Sequence, residues 1–132
     1  MLGSHLVRVY QKDYTVFSTG RSKKGLGYFH NYMQFDLNKN DFEELYNWSC
    51  PDVIIHCAAL TNGNYCEENP LEAMEINGYV LQKIVDAFRN NVRIIYISSD
   101  AVFPSSLHLA KETDYVLPES VYGKSKELGE FF

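Results

Sequence analysis

The 132-residue chain is predicted to be an α/β protein built on an open, mostly parallel sheet. Short apolar runs rich in β-branched residues alternate with stretches of helical periodicity. Two of those runs, "DVIIHCAA" (52–59) and "VRIIYIS" (92–98), are continuous, as in strands buried on both faces of a parallel sheet. A long helical stretch lies between them, so strand, helix and strand follow in turn.

The elements can be justified in order. "MLGSHLVRVYQ" reads as a helix that starts at once, with no strand before it. "YTVFS" (14–18) is a β-branched and aromatic strand ending at "TG", and "YMQFDL" (32–37) is a weaker strand candidate. "NDFEELYNW" sets Phe42, Leu45 and Tyr46 at helical spacing, with Asn40 as the candidate cap. After the strand at 52–59, Asn69 is a candidate cap and Pro70 suits a first helical turn. Leu71, Met74, Tyr79, Leu81, Ile84, Val85 and Phe88 then recur at helical intervals. Residues 103–119, with two prolines, read as a long loop. A last helix opens behind Ser120 in "SVYGKSKELGEFF".

A composition of 45% hydrophobic and 22% charged residues is that of an ordinary globular protein of one domain. The formal net charge of −5 argues against nucleic acid or an anionic membrane as partner. No apolar run approaches the roughly 20 residues of a membrane span, and the first ten residues do not read as a signal peptide. Three cysteines without paired spacing suit a reducing, cytoplasmic setting. His56 and Cys57 are strand neighbours and point to opposite faces, so no metal site with Cys66 is expected.

Ligands of open α/β sheets sit beyond the carboxyl ends of the strands. The first strand runs into "STGRSKK", where Arg21 and Ser22, helped by Lys23 and Lys24, either bind a phosphate or form a solvated basic loop. The strand at 52–59 ends in Ala58 and Ala59, followed by Thr61, small enough for a flat ligand to approach the backbone. The next strand ends in Ser98 and Ser99. The last helix carries Tyr122 and Lys126, four apart and so on one face. Tyr79 and Lys83 share that spacing, but their helix is expected to cover the sheet with Tyr79 on its apolar stripe. The position of Tyr122 and Lys126 after a Ser-Ser-Asp strand end therefore makes them the candidate site. A nearby cation stabilises a phenolate and lowers the pKa of a tyrosine that is otherwise near 10. A serine hydroxyl can hold a carbonyl oxygen as charge develops on it. Together they suit proton transfer to an alkoxide as hydride arrives.

Taken together, "PDVIIHCAALTNGNYCEENP", "EIN", "IIYISSDAVF" and "ETDYVLPESVYGKSKELGE" resemble the extended short-chain dehydrogenase/reductases, and within them the dTDP-4-dehydrorhamnose reductase type of sugar-nucleotide reductase. The resemblance runs over nearly the whole chain. It implies a Rossmann-like, doubly wound fold over residues 1–132, lacking its first strand and the C-terminal substrate domain. It implies Tyr122 as proton donor, Lys126 as its partner and a ligand of the nicotinamide ribose, and Ser99 as the catalytic hydroxyl with Ser98 beside it. Ala58, Ala59 and Thr61 would run along the cofactor, and Asp36 and Leu37 would lie near the adenine. Arg21 and Ser22 would take a 2′-phosphate, favouring NADP(H) over NAD(H). Asn77 would shape the site, and Gly3 would be the last glycine of a phosphate-binding turn. Departures are Gly63 and Asn64, where the subgroup often has valine and aspartate, and Ala101, where it often has tyrosine. The implied partner is a nucleotide-sugar substrate, with a homodimer of the intact parent as one assembly, and the chain alone is expected to be inactive. The same subgroup holds regulatory subunits of the methionine adenosyltransferase beta type, a second reading. An epimerase or dehydratase would need further acid–base residues, which the sequence does not offer.

Overall fold

The computed structural model describes residues 2–23, 30–88 and 92–132, and the chain divides into two compact units, Met1–Cys50 and Pro51–Phe132. Each carries a two-stranded parallel sheet, in keeping with the parallel α/β reading.

The first unit opens with helix α1 (Leu2–Tyr10), followed by strands β1 (Phe17–Gly20) and β2 (Asn31–Gln34) and helix α2 (Phe42–Ser49). Phe17 pairs with Asn31 and Gly20 with Gln34. Asn31 ties the ladder further, since its carbonyl accepts from Ser18 Oγ at 3.1 Å and its amide donates to Val16 O at 3.3 Å. Phe35 packs edge-to-face on Phe42, and Phe17 on Trp48. Asp41, not Asn40, caps α2: its carboxylate accepts from Glu43 N at 2.9 Å, while Asn40 Oδ1 accepts from Asp36 N at 2.7 Å. A carboxylate one residue from the helix both caps and meets the positive end of the helix dipole. The helix stops at Cys50, whose φ of 38° is left-handed.

The second unit contains β3 (Val53–His56), α3 (Gly63–Glu68), α4 (Pro70–Met74), a π-helical turn (Glu75–Tyr79), α5 (Val80–Ala87), β4 (Arg93–Tyr96) and α6 (Val121–Glu130). Val53 pairs with Arg93 and His56 with Tyr96. The strands are not buried on both faces as the apolar runs suggested: Val53 is 47% and Ile95 41% exposed. Ile94 and Tyr96 line one cavity with Leu81 and Val85 of α5. Helix α3, absent from the sequence reading, is short and polar. Asn62 caps it by accepting from Tyr65 N at 3.1 Å. Asn69 makes no side-chain cap; its amide donates to Tyr65 O instead, while Pro70 starts α4 as expected.

Helix α5 follows the π turn with one buried stripe. Val80, Leu81, Ile84 and Phe88 are buried, but Tyr79 is 45% exposed, and Lys83 pairs with Glu75. Tyr79 is off the apolar stripe on which it was expected, because two, five and nine residues separate it from Leu81, Ile84 and Phe88 and set it across the helix from them. α6 behaves otherwise. Ser120 caps it, accepting from Gly123 N at 3.0 Å. Its buried residues are Gly123, Ser125, Lys126 and Gly129, so the face shared by Tyr122 and Lys126 looks inward.

Gly123 sets how closely α6 approaches the 3₁₀ turn Asp100–Val102: a Cβ there would lie 2.2 Å from Ala101 O. In the full-length protein, Gly123→Ala should cost about 2 kcal/mol or more, because backbone must move to admit the methyl. Gly63→Ala, where nothing lies within 4 Å, should be neutral or stabilising by up to about 1 kcal/mol. Urea unfolding of both variants checks this, and equal losses would refute the close approach.

Candidate active site

The site of the second unit lies where β3 and β4 end. Lys126 is 2% exposed, and its ammonium donates to Ile97 O at 2.7 Å, one residue beyond β4. It also sits 4.0 Å from the centroid of the Tyr96 ring. Burial lowers its pKa from 10.5 to about 8, with the Glu130 carboxylate and Cys57 opposing the shift. The charge is held against desolvation, and its field is felt nearby. His56, buried and stacked on Tyr96, is lowered to about 4, chiefly by burial and then by Lys126. Burial raises Cys57, which Lys126 partly offsets.

Tyr122 precedes Lys126 by one turn and is half-buried, and its hydroxyl makes no hydrogen bond among the described residues. Ser99 Oγ accepts from Ala101 N at 3.2 Å and donates to Asp100 Oδ1 at 3.3 Å, capping the turn against which Gly123 packs. Ser98 Oγ donates to Glu130, which lies one turn beyond Lys126.

Asn77, in the π turn, is 1% exposed and spends its whole side chain on neighbours. Its Oδ1 accepts from Leu60 N at 2.7 Å, and its Nδ2 donates to Leu60 O at 3.0 Å and Ser125 Oγ at 2.9 Å. Ser125 in turn donates to Tyr122 O at 2.7 Å. Asn77 therefore couples the segment Ala58–Thr61 to the helix of Tyr122 and Lys126. Within that segment Ala58 and Thr61 are exposed and Ala59 is half-buried. Ser125, Tyr96 and Glu130 were missed in the sequence. Ser125 and Glu130 flank Lys126 within one turn, and Tyr96 shares the inward face of β4 with Ile94, the signals that could have found them.

The remaining expected residues lie in the first unit. Gly3 is inside the first turn of α1. Arg21 and Ser22 are exposed just after β1, and their carbonyls accept from Gln34 Nε2 at 2.9 Å and Tyr32 OH at 2.7 Å. Lys23 is exposed, and Lys24 lies outside the described residues. Asp36 follows β2, where its carboxylate accepts from Asn38 N at 3.1 Å and pairs with Lys39 at 3.8 Å; Leu37 is half-buried.

The parallel α/β fold of this chain is shared with solved structures of larger proteins. A hypothetical dTDP-4-dehydrorhamnose reductase from Sulfolobus tokodaii superposes with a TM-score of 0.85 at 31% identity, over 98% of this chain and 47% of that one. MoeE5 in complex with UDP-glucose and NAD shares the fold, with a TM-score of 0.86 at 24% identity over 98% of this chain and 44% of that one. The chain belongs to the RmlD substrate binding domain family, which it matches over residues 1–132. It is 39% identical to the dTDP-4-dehydrorhamnose reductase of Aggregatibacter actinomycetemcomitans over 82 residues, 61% of this chain and 28% of that protein. It is 33% identical to methionine adenosyltransferase 2 subunit beta of Pongo abelii over 102 residues, 71% of this chain and 28% of that protein. The matches thus span under a third of these curated relatives. Among the described residues no helix is long and apolar enough to cross a membrane.

The depressed Lys126 pKa is a stability statement. The fold favours the neutral amine, so the penalty is fully present below pH 8 and disappears as pH rises from about 8 to 10.5. A shift of that size corresponds to on the order of 3 kcal/mol. Lys126→Met should therefore stabilise the full-length protein at pH 7, by about 1–3 kcal/mol, with the gain shrinking towards pH 10.5. Denaturant melts across pH measure this; a gain independent of pH would show that the ammonium carries no such penalty.

Proposed function

We propose that this chain is the partial NAD(P)-binding domain of an NADPH-dependent reductase acting on a 4-keto-6-deoxy sugar nucleotide, of the dTDP-4-dehydrorhamnose reductase type. The observation that carries the reading is the inward face of α6, with a half-buried Tyr122 and a buried Lys126 ammonium at the end of β4. The similarity to proteins named dTDP-4-dehydrorhamnose reductase supports it, and MoeE5, of the same fold, is seen with NAD and UDP-glucose.

The residues fit a nicotinamide dinucleotide in their chemistry. The exposed Ala58 and Thr61 leave backbone open to a flat ligand, and the guanidinium of Arg21 is exposed on a loop tied to β2. Arg21 and Ser22 would hold a 2′-phosphate, Asp36 and Leu37 the adenine end, and Gly3 the approach to the pyrophosphate. The cofactor, when bound, supplies the hydride. Tyr122 then delivers its phenolic proton to the oxygen of the reduced carbonyl. Lys126, cationic below about pH 8, stabilises the phenolate left behind and holds the ribose. Ser99, with Ser98 beside it, donates to the carbonyl oxygen as negative charge grows on it. Asn77 acts through Leu60 and Ser125 rather than by contact. We place this activity, cytoplasmic and with a homodimer as one assembly, in the intact parent and not in these 132 residues alone.

A second reading is a cofactor-binding regulatory subunit, favoured by the similarity to methionine adenosyltransferase 2 subunit beta. Purified full-length protein should oxidise NADPH in the presence of dTDP-4-dehydrorhamnose. Tyr122→Phe should lower turnover by about 10²-fold or more while leaving the Kd for NADPH within a few-fold. Turnover surviving that change would remove the acid role; no turnover in the wild type, with co-purifying adenosyltransferase, would favour the second reading.

A further inference from the structure

Tyr96 takes no part in the reading above, yet the polar groups of the site are arranged around it. The Lys126 ammonium lies 4.0 Å from its ring centroid, well inside the roughly 6 Å at which a cation is drawn to an aromatic face. The far end of the ring is pinned, since the hydroxyl donates to Asn77 O at 2.7 Å and reaches Lys126 O at 3.4 Å. The His56 imidazole stacks on it at 5.9 Å, tilted by 13°. Space is reserved for it by Gly129, where a Cβ would fall 2.5 Å from the Tyr96 hydroxyl oxygen.

We infer that Tyr96 is a positioning residue for Lys126: its ring face holds the ammonium charged and fixed at the end of β4, while its hydroxyl locks the ring to the π turn and to α6. The inference rests on the reading of Tyr122 and Lys126 as a proton-handling pair. The titratable groups that act on or touch Lys126 are Glu130 from α6, Cys57 and His56 at the end of β3, and Tyr96 from β4, while Tyr122 of α6 acts on Tyr96. Burial, Glu130 and Tyr122 all push the Tyr96 pKa up, so its hydroxyl stays protonated and serves only as a donor. That separates its role from that of Tyr122.

The test replaces Tyr96 in the full-length protein by phenylalanine, 3,5-difluorophenylalanine and pentafluorophenylalanine, which weaken the ring's attraction for a cation at nearly constant shape. The Lys126 titration is followed by ¹³Cε NMR, with no ligand needed. Phenylalanine should leave the midpoint within a few tenths of a unit. Pentafluorophenylalanine should lower it by roughly one unit, shifting the alkaline limb of the kcat/KM profile to lower pH by the same amount, because Lys126 then loses its proton earlier. A midpoint constant across the series overturns the inference. Tyr122→Phe, measured alongside, keeps the two ideas apart. Loss of turnover in that variant with an unmoved midpoint sinks Tyr96 alone; retained turnover with a moving midpoint sinks the pair and leaves the hold of Tyr96 on Lys126 standing.

Discussion

A single ammonium taken out of water organises the second unit. Lys126 cannot be buried without an acceptor, a favourable field and tight surroundings, and each is supplied by a different element. β4 hands over the Ile97 carbonyl just past its end and the ring of Tyr96 before it. α6 itself supplies Glu130 one turn on, and β3 contributes an imidazole that stays neutral beside the cation. An apolar side chain at this position would ask for none of this. The local packing follows from holding that charge.

The second constraint is polar satisfaction. Asn77 is buried and offers two donors and an acceptor, all of which are met by Leu60 and Ser125. The carbonyl of Asn77, in the π turn, also accepts from Tyr96. One irregular turn thus joins the loop after β3, the inner face of β4 and the helix bearing Tyr122. A regular α-helix through Glu75–Tyr79 would rotate Asn77 away from one or other of these partners.

The class of fold, the order of the main elements and the inward helix of Tyr122 and Lys126 were legible because they rest on period and position. The strands at 53–56 and 93–96 stand out as apolar runs, and Ser120 and Pro70 mark helix starts by their chemistry. What was missed has particular causes. Tyr79 stands two, five and nine residues before the buried Leu81, Ile84 and Phe88, a spacing that sets it across the helix from them rather than on their stripe. The cap of α2 fell on Asp41 because Asn40 was taken by the backbone of Asp36. α3 has too few residues to show a period. Tyr96 was hidden because a tyrosine in an apolar run looks like packing, and only its distance from a distant lysine gives it another meaning.

The glycines of α6 carry one more consequence. Gly123 and Gly129 are there because Ala101 and Tyr96 come so near, yet each weakens a ten-residue helix that is already too short to persist alone. The segment has little reason to be helical before it docks. The four-residue spacing that sets Tyr122 above Lys126 is thus a product of tertiary assembly, and any local opening that lifts α6 from the turn at Asp100–Val102 would dissolve the pair along with the helix.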